Sequence, residues 1–265
     1  MTPPLHKPLA VFDAGLGSYA AVRLLHDTYP EQDILYLADR ASFPYGGKSK
    51  ADLVAVVGKA VAYLETFDPC AVVLASNAPT VVAFDVLKDM ARKPLFGVYP
   101  PVADALVRSR SKQVAVLGVR SMVESSEIRT FIDRAAQGQG GVHAFDASDL
   151  VALIENAAFL NEKPGTQGKV SRFVDKVRAA FPDIDVMTLS STHLPWLSDF
   201  FEKAAPDVTF LDPAATVVAA LEPYVTTGSG RVEGHVTEDE RYPYEAFAQI
   251  LDTLDIRIPL HRVAF

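Results

Sequence analysis

Short apolar or β-branched runs alternate with longer amphipathic stretches along nearly the whole chain, and this pattern predicts parallel sheets with helices on both faces. The apolar runs place strands at 8–13, 34–38, 70–75, 94–98, 113–118, 142–146, 185–190 and 208–212. Between them the pattern favours helices, for example at 18–28, 49–66, 80–91, 101–110, 148–157, 167–180 and 214–224. The tail, 235–265, reads as a strand, a helix around 243–253 and a final strand packed back on the body.

Ligands on open α/β sheets gather where strands end and loops begin, so the residues just after each strand carry the chemical information. Asp13-Ala-Gly-Leu-Gly follows the first strand, Asp39 and then Phe43-Pro-Tyr-Gly-Gly-Lys-Ser the second, and Ser76-Asn77-Ala-Pro-Thr80 the third; Ser191-Thr192-His193-Leu-Pro follows a late strand. The third and late strands share one design, an apolar run followed by Ser, a polar residue and a helix start. The expected fold is therefore α/β with two pseudo-symmetric domains, each a mostly parallel sheet flanked by helices, and an active-site cleft between them. Pro100-Pro101 and Asp212-Pro213 suggest crossover points, giving domains of 1–97 plus 211–265 and 98–210. Thr226-Thr-Gly-Ser-Gly-Arg-Val-Glu-Gly234 has the composition of a linker.

Composition narrows the function. With 265 residues, 49% of them hydrophobic, the chain can bury a core large enough for two α/β domains. A formal charge of −8 argues against nucleic acid as a partner, because broad phosphate contact needs clustered cations. No apolar run approaches the roughly 20 residues of a membrane helix, and neither end has the pattern of a signal peptide, so a cytoplasmic protein without membrane contact is expected. The single cysteine, Cys70, allows no intrachain disulfide and opens an apolar strand, where it reads as an inert buried residue. The six histidines lack a ligand spacing, so no metal is expected. Gly15-Leu-Gly17 followed by Asp39 meets the outline of a dinucleotide fingerprint, but the Asp13 charge at its mouth would repel a pyrophosphate. A serine hydrolase would need a G-x-S-x-G elbow, which is absent. Singly, Ser76 and Ser191 could cap helices, Asp13 could bind a turn and His193 could be a core histidine; together, at one edge, an acid and an imidazole point to chemistry.

These motifs resemble the aspartate/glutamate racemase family. Phe12-Asp13-Ala14-Gly-Leu-Gly17 is similar to the F-D-S-G-x-G opening of glutamate racemases, and Pro44-Tyr45-Gly46-Gly47-Lys-Ser49 to their P-Y-G-x-K-S loop. Ala75-Ser76-Asn77-Ala78 resembles their A-C-N-T, Ser190-Ser191-Thr192-His193-Leu-Pro195 their G-C-T-H-Y-P, and Val151-Ala-Leu-Ile-Glu155 the segment carrying their catalytic glutamate. The tail, with Val236-Thr-Glu-Asp and Arg262-Val, looks like the family's C-terminal segment, so the likeness spans essentially the whole chain.

The resemblance implies a cofactor-independent racemase acting on glutamate or a related small carboxylic acid, with homodimers common among relatives. One thiolate removes the α-proton while a thiol on the opposite face returns one. Here Ser76 and Ser191 stand at the two cysteine positions, and a hydroxyl is a far weaker acid than a thiol of pKa about 8.5. The resemblance assigns Asp13 to the Ser76 side, Glu155 and His193 to the Ser191 side, and ligand binding to Ala14, Tyr45, Gly46, Asn77, Ala78 and Thr192. Retained helpers around two replaced cysteines suit an inactivated enzyme. Ala14, Ala78 and Met122, which stand where the family has hydroxyls, suit a naturally diverged relative or pseudo-enzyme. In both cases little racemisation is expected, and a non-catalytic small-acid-binding or regulatory protein is the competing reading.

Overall fold

The computed structural model describes residues 3–265 and divides the chain into two compact units, one formed by the chain up to Val98 together with Ala214–Phe265, the other by Tyr99–Pro213. The first unit opens with β1 (Leu9–Asp13), α1 (Tyr19–Thr28), β2 (Ile34–Asp39), α2 (Lys50–Glu65), β3 (Ala71–Leu74), α3 (Asn77–Met90) and β4 (Leu95–Gly97). The second contains α4 (Val102–Arg108), β5 (Gln113–Gly118), α5 (Arg120–Val123), α6 (Ser126–Ala136), β6 (Gly141–Asp146), α7 (Ser148–Glu155), α8 (Ala158–Asn161), α9 (Lys163–Ala180), β7 (Val186–Leu189), α10 (Ser198–Ala204) and β8 (Thr209–Leu211). The chain then returns to the first unit with α11 (Ala214–Leu221), β9 (Val232–Thr237), α12 (Tyr244–Thr253) and β10 (Leu260–Arg262).

Every ladder in both sheets is parallel. The first sheet has the order β10-β9-β2-β1-β3-β4 and the second β6-β5-β7-β8. Within the first, β2-β1-β3-β4 repeats the relative order of the second, so the pseudo-symmetry expected from the Ser-ended strands exists as topology. In each unit the crossovers diverge on either side of the first strand, which makes a switch point at the C-terminal ends of β1 and β3, and again at those of β5 and β7. Asp13 and Ser76 lie at the first of these ends, Gly118 and Ser191 at the second.

Burial explains why these runs are strands. β1, β2, β3 and β7 are buried at every position, so no alternation marks them and they read as continuous apolar runs. The edge strand β6 is only partly buried along its length. Helix starts follow local chemistry: Ser49 caps α2, its hydroxyl accepting from the Asp52 amide and donating to the Asp52 carboxylate, and Ser125 caps α6 through the Ile128 amide.

Two expectations need correction. Residues 226–234 are no flexible linker. Gly228 donates its amide to the Glu31 carbonyl at 2.8 Å, Ser229 its amide to Asp33 at 2.7 Å, and Val232 already begins β9. The glycines serve close approach: a Cβ on Gly230 would lie 2.2 Å from the Pro30 carbonyl oxygen, and that residue's φ is +69°. Cys70 is half-buried rather than buried, lies just ahead of β3, and has its thiol pKa pushed up by desolvation.

Candidate active site

In the first unit, β1 delivers Asp13 to the sheet edge, where the carboxylate is 4% exposed and its Oδ1 accepts the Ala14 amide at 2.7 Å. Part of Asp13 thus serves the turn after the strand, while its charge stays at the switch point. β3 ends beside it, and Ser76 follows in an extended conformation at the cap position of α3. Its hydroxyl makes no capping hydrogen bond, so the role of a simple helix cap does not account for it. Pro79 offers no amide and the Thr80 amide bonds to the Ser76 carbonyl, which leaves Asn77 and Ala78 as the first-turn amides at this edge. Asn77 is buried; its Nδ2 donates to the Val98 carbonyl at 2.8 Å and its Oδ1 has no partner among the described residues. The carboxamide is thereby oriented with an acceptor to spare, an arrangement that suits an N–H or O–H donor on a ligand.

The loop after β2 forms a short 3₁₀ turn over Tyr45–Gly47 that contacts α3. Tyr45 is buried, and its phenol donates to Asp39 Oδ2 at 3.0 Å. Burial, then the charges of Asp39 and Asp13, push the phenol pKa well above its ordinary value, so it remains a neutral donor. Ala14 and Ala78 are both buried beside these polar groups and add no hydrogen-bonding side chain.

In the second unit, β7 ends at Leu189 and the chain turns through Ser190, Ser191, Thr192 and His193, all buried, into a 3₁₀ turn over Leu194–Leu197. Ser190 shares a 2.7 Å hydrogen bond with Thr188 and belongs to the support of the turn. Glu155, the last residue of α7, meets His193: Oε1 lies 2.6 Å from Nε2, with side-chain exposures of 10% and 7%. Thirty-eight residues separate the partners, and the fold brings them together. Met122 fills the space over Gly118 at the end of β5, where an added Cβ would fall 2.1 Å from the Met122 methyl.

No protein-family model matches the chain. It is 31% identical to the glutamate racemase of Roseiflexus sp. over 97% of its own length and 94% of that relative's. The chain belongs to the aspartate/glutamate racemase family. Solved glutamate racemases share its fold: one from Thermus thermophilus, in complex with β-chloro-D-alanine, is 27% identical with a TM-score of 0.81 over 97% of both chains. An isoform from Bacillus anthracis has a TM-score of 0.84 at 21% identity over 98% of both chains.

For this racemase-family chain the residues expected at the site fall into two groups. Asp13, Ala14, Tyr45, Gly46, Ser76, Asn77 and Ala78 occupy strand ends and loops of the first unit, and Glu155, Ser191, Thr192 and His193 those of the second. The sequence had also marked Asp39 as a residue closing a strand, but not as a partner of Tyr45. Thr237 stood within the family-like tail segment Val236-Thr-Glu-Asp, but nothing in the sequence tied it to Asp39, to whose Oδ1 its hydroxyl donates at 2.8 Å from 198 residues away.

Proposed function

We propose that this protein is a cofactor-independent amino-acid racemase by descent, built for two-base transfer of the α-proton of a small acid, in which Ser76 and Ser191 occupy the two acid/base positions. The observation that carries this reading is the Glu155–His193 pair placed two residues from Ser191. With Nε2 engaged by Glu155, Nδ1 is the ring nitrogen available to exchange a proton with a neighbouring group. A carboxylate that orients an imidazole beside a would-be acid/base residue has little use in a purely structural turn. Asp13 is the corresponding helper for Ser76 at the other switch point.

The proposed division of labour follows from the groups present. The Asn77 and Ala78 amides, with the Asn77 Oδ1 and backbone groups of the Tyr45–Gly47 turn, would hold the ligand's carboxylate and amino group; Thr192 would act likewise in the second unit. In the two-base scheme the residue at position 76 would supply one acid/base group and that at 191 the other. A hydroxyl at either place binds a proton too tightly to serve: even with an adjacent general base, an alkoxide is far costlier to form than a thiolate. The chain as it stands is therefore expected to bind a small amino acid or carboxylic acid while racemising it little or not at all.

The test is α-proton exchange in D₂O, followed by NMR on L- and D-amino acids including glutamate and aspartate. The expected result is silence from the present chain and exchange from its Ser76→Cys/Ser191→Cys form. Silence from both forms would overturn the racemase reading; if small acids still bound, it would favour the non-catalytic binding role that two serines equally suit.

A further inference from the structure

We propose that Asp39 and Thr237 are positioning residues that set the Tyr45–Gly47 turn at the first switch point, so that the C-terminal strand β9 is a working part of the site. The proposal rests on the racemase-like reading of that site. β9 lies parallel to β2 in a register that places Thr237 directly beside Asp39, at the ligand-facing ends of both strands. Asp39 is 2% exposed and both of its oxygens are engaged: Oδ1 accepts the Thr237 hydroxyl at 2.8 Å, and Oδ2 accepts the Tyr45 phenol at 3.0 Å. The Thr237 oxygen in turn accepts the Ala41 amide at 3.0 Å. One buried carboxylate therefore ties the end of β2, the end of β9 and the turn after them into a single network.

Neighbouring contacts leave this segment little freedom. The Arg40 guanidinium is buried, with its central carbon 5.0 Å from the Phe43 ring, 5.1 Å from Tyr242 and 5.4 Å from Phe247. The side chains of residues 39, 40, 43 and 45 are all held by β9, by the α12 region or by one another. What the turn has left to present at the edge is its backbone, in contact with α3, the helix that Ser76 and Asn77 begin. Hydrogen-bond donors that must meet a ligand carboxylate lose much of their value when misplaced by even an ångström, and a carboxylate buried with every oxygen satisfied is a means of preventing that. Neither Asp39 nor Thr237 is asked to touch the ligand.

The experiment uses the full chain carrying Ser76→Cys and Ser191→Cys, with Thr237→Val, Thr237→Ser and Tyr45→Phe added separately. KM and kcat are read from racemisation, and hydrogen exchange is read at the Ala41, Phe43 and Lys48 amides with α2 amides as reference. Thr237→Val is expected to raise KM about 10-fold with kcat within about 2-fold, and to speed exchange at those three amides while α2 is unchanged. Thr237→Ser should restore both, and Tyr45→Phe, which removes only the phenol oxygen, should repeat the KM effect. Unchanged KM and exchange in Thr237→Val and Tyr45→Phe would overturn the proposal. So would a loss of melting temperature and active fraction without a KM change, the mark of a merely structural role. If no form racemises any amino acid, the racemase reading fails by itself, and amide exchange in Thr237→Val against Thr237→Ser still decides whether Thr237 holds the turn.

Discussion

Replacing Glu155 by Gln removes one charge and almost nothing else. The amide keeps the shape of the carboxylate, so the 2.6 Å contact with His193 Nε2 can persist as a neutral hydrogen bond. Both side chains are nearly dry, at 10% and 7% exposure, so water cannot screen the difference. A hydrogen bond to a charged partner contributes about 1.5–3 kcal/mol, against about 1 for a neutral one. If the carboxylate stabilises a cationic His193 as the proton moves, the loss of about 1–2 kcal/mol in the transition state corresponds to a roughly 5- to 30-fold fall in kcat/KM. The assay is racemisation by the Ser76→Cys/Ser191→Cys form with and without Glu155→Gln, followed by circular dichroism from each enantiomer. Enantiomers are equal in energy, so kcat/KM must fall by the same factor in both directions; unequal factors would signal inactivation during the assay. A fall below about 2-fold with an unchanged melting temperature would refute the reasoning, because the pair would then only hold two elements together.

Two further predictions concern stability. His235 has its pKa lowered to about 4, by burial first and by the neighbouring His261 charge second, while an unfolded histidine titrates at about 6.5. Protonation therefore favours the unfolded chain: His235 costs nothing above pH 6.5 and removes stability as pH falls from there toward 4. After allowance for solvent screening, the His235→Phe form should retain about 1–2 kcal/mol more stability than the parent at pH 4.5, relative to their difference at pH 7.5, by urea unfolding; a pH-independent difference would contradict this. Asp33 accepts the His6, Ser229 and Arg231 amides and the Ser229 hydroxyl at 2.7–3.2 Å, and these bonds hold its carboxyl below the usual range despite burial. Asp33→Ala should cost about 3–4 kcal/mol and open the 226–231 segment to proteolysis ahead of global unfolding; a loss under about 1 kcal/mol would show that water replaces the carboxylate.

The order of elements and the positions of Asp13, Ser76 and Ser191 at strand ends were legible in the chain alone, because a fully buried parallel strand must be a continuous apolar run and its loop must hold whatever chemistry the protein does. The resemblance of five motifs in order supplied the family, and with it the helpers Glu155 and His193. Local composition misled at residues 226–234, where glycines that permit close backbone approach look the same as glycines that permit flexibility. It was also silent on α5, α6, α8 and α10, although Ser125 supplies a start signal for α6. What only the tertiary structure decided is pairing across distance: that His193 Nε2 meets Glu155, that Asn77 keeps a free acceptor because its amide is spent on Val98, and that Asp39 is shared between Tyr45 and Thr237. Sequence periodicity records which side of an element faces the core, but strand order and register are properties of the assembled sheet. It is register that sets Thr237 beside Asp39, and no local pattern near either residue encodes it.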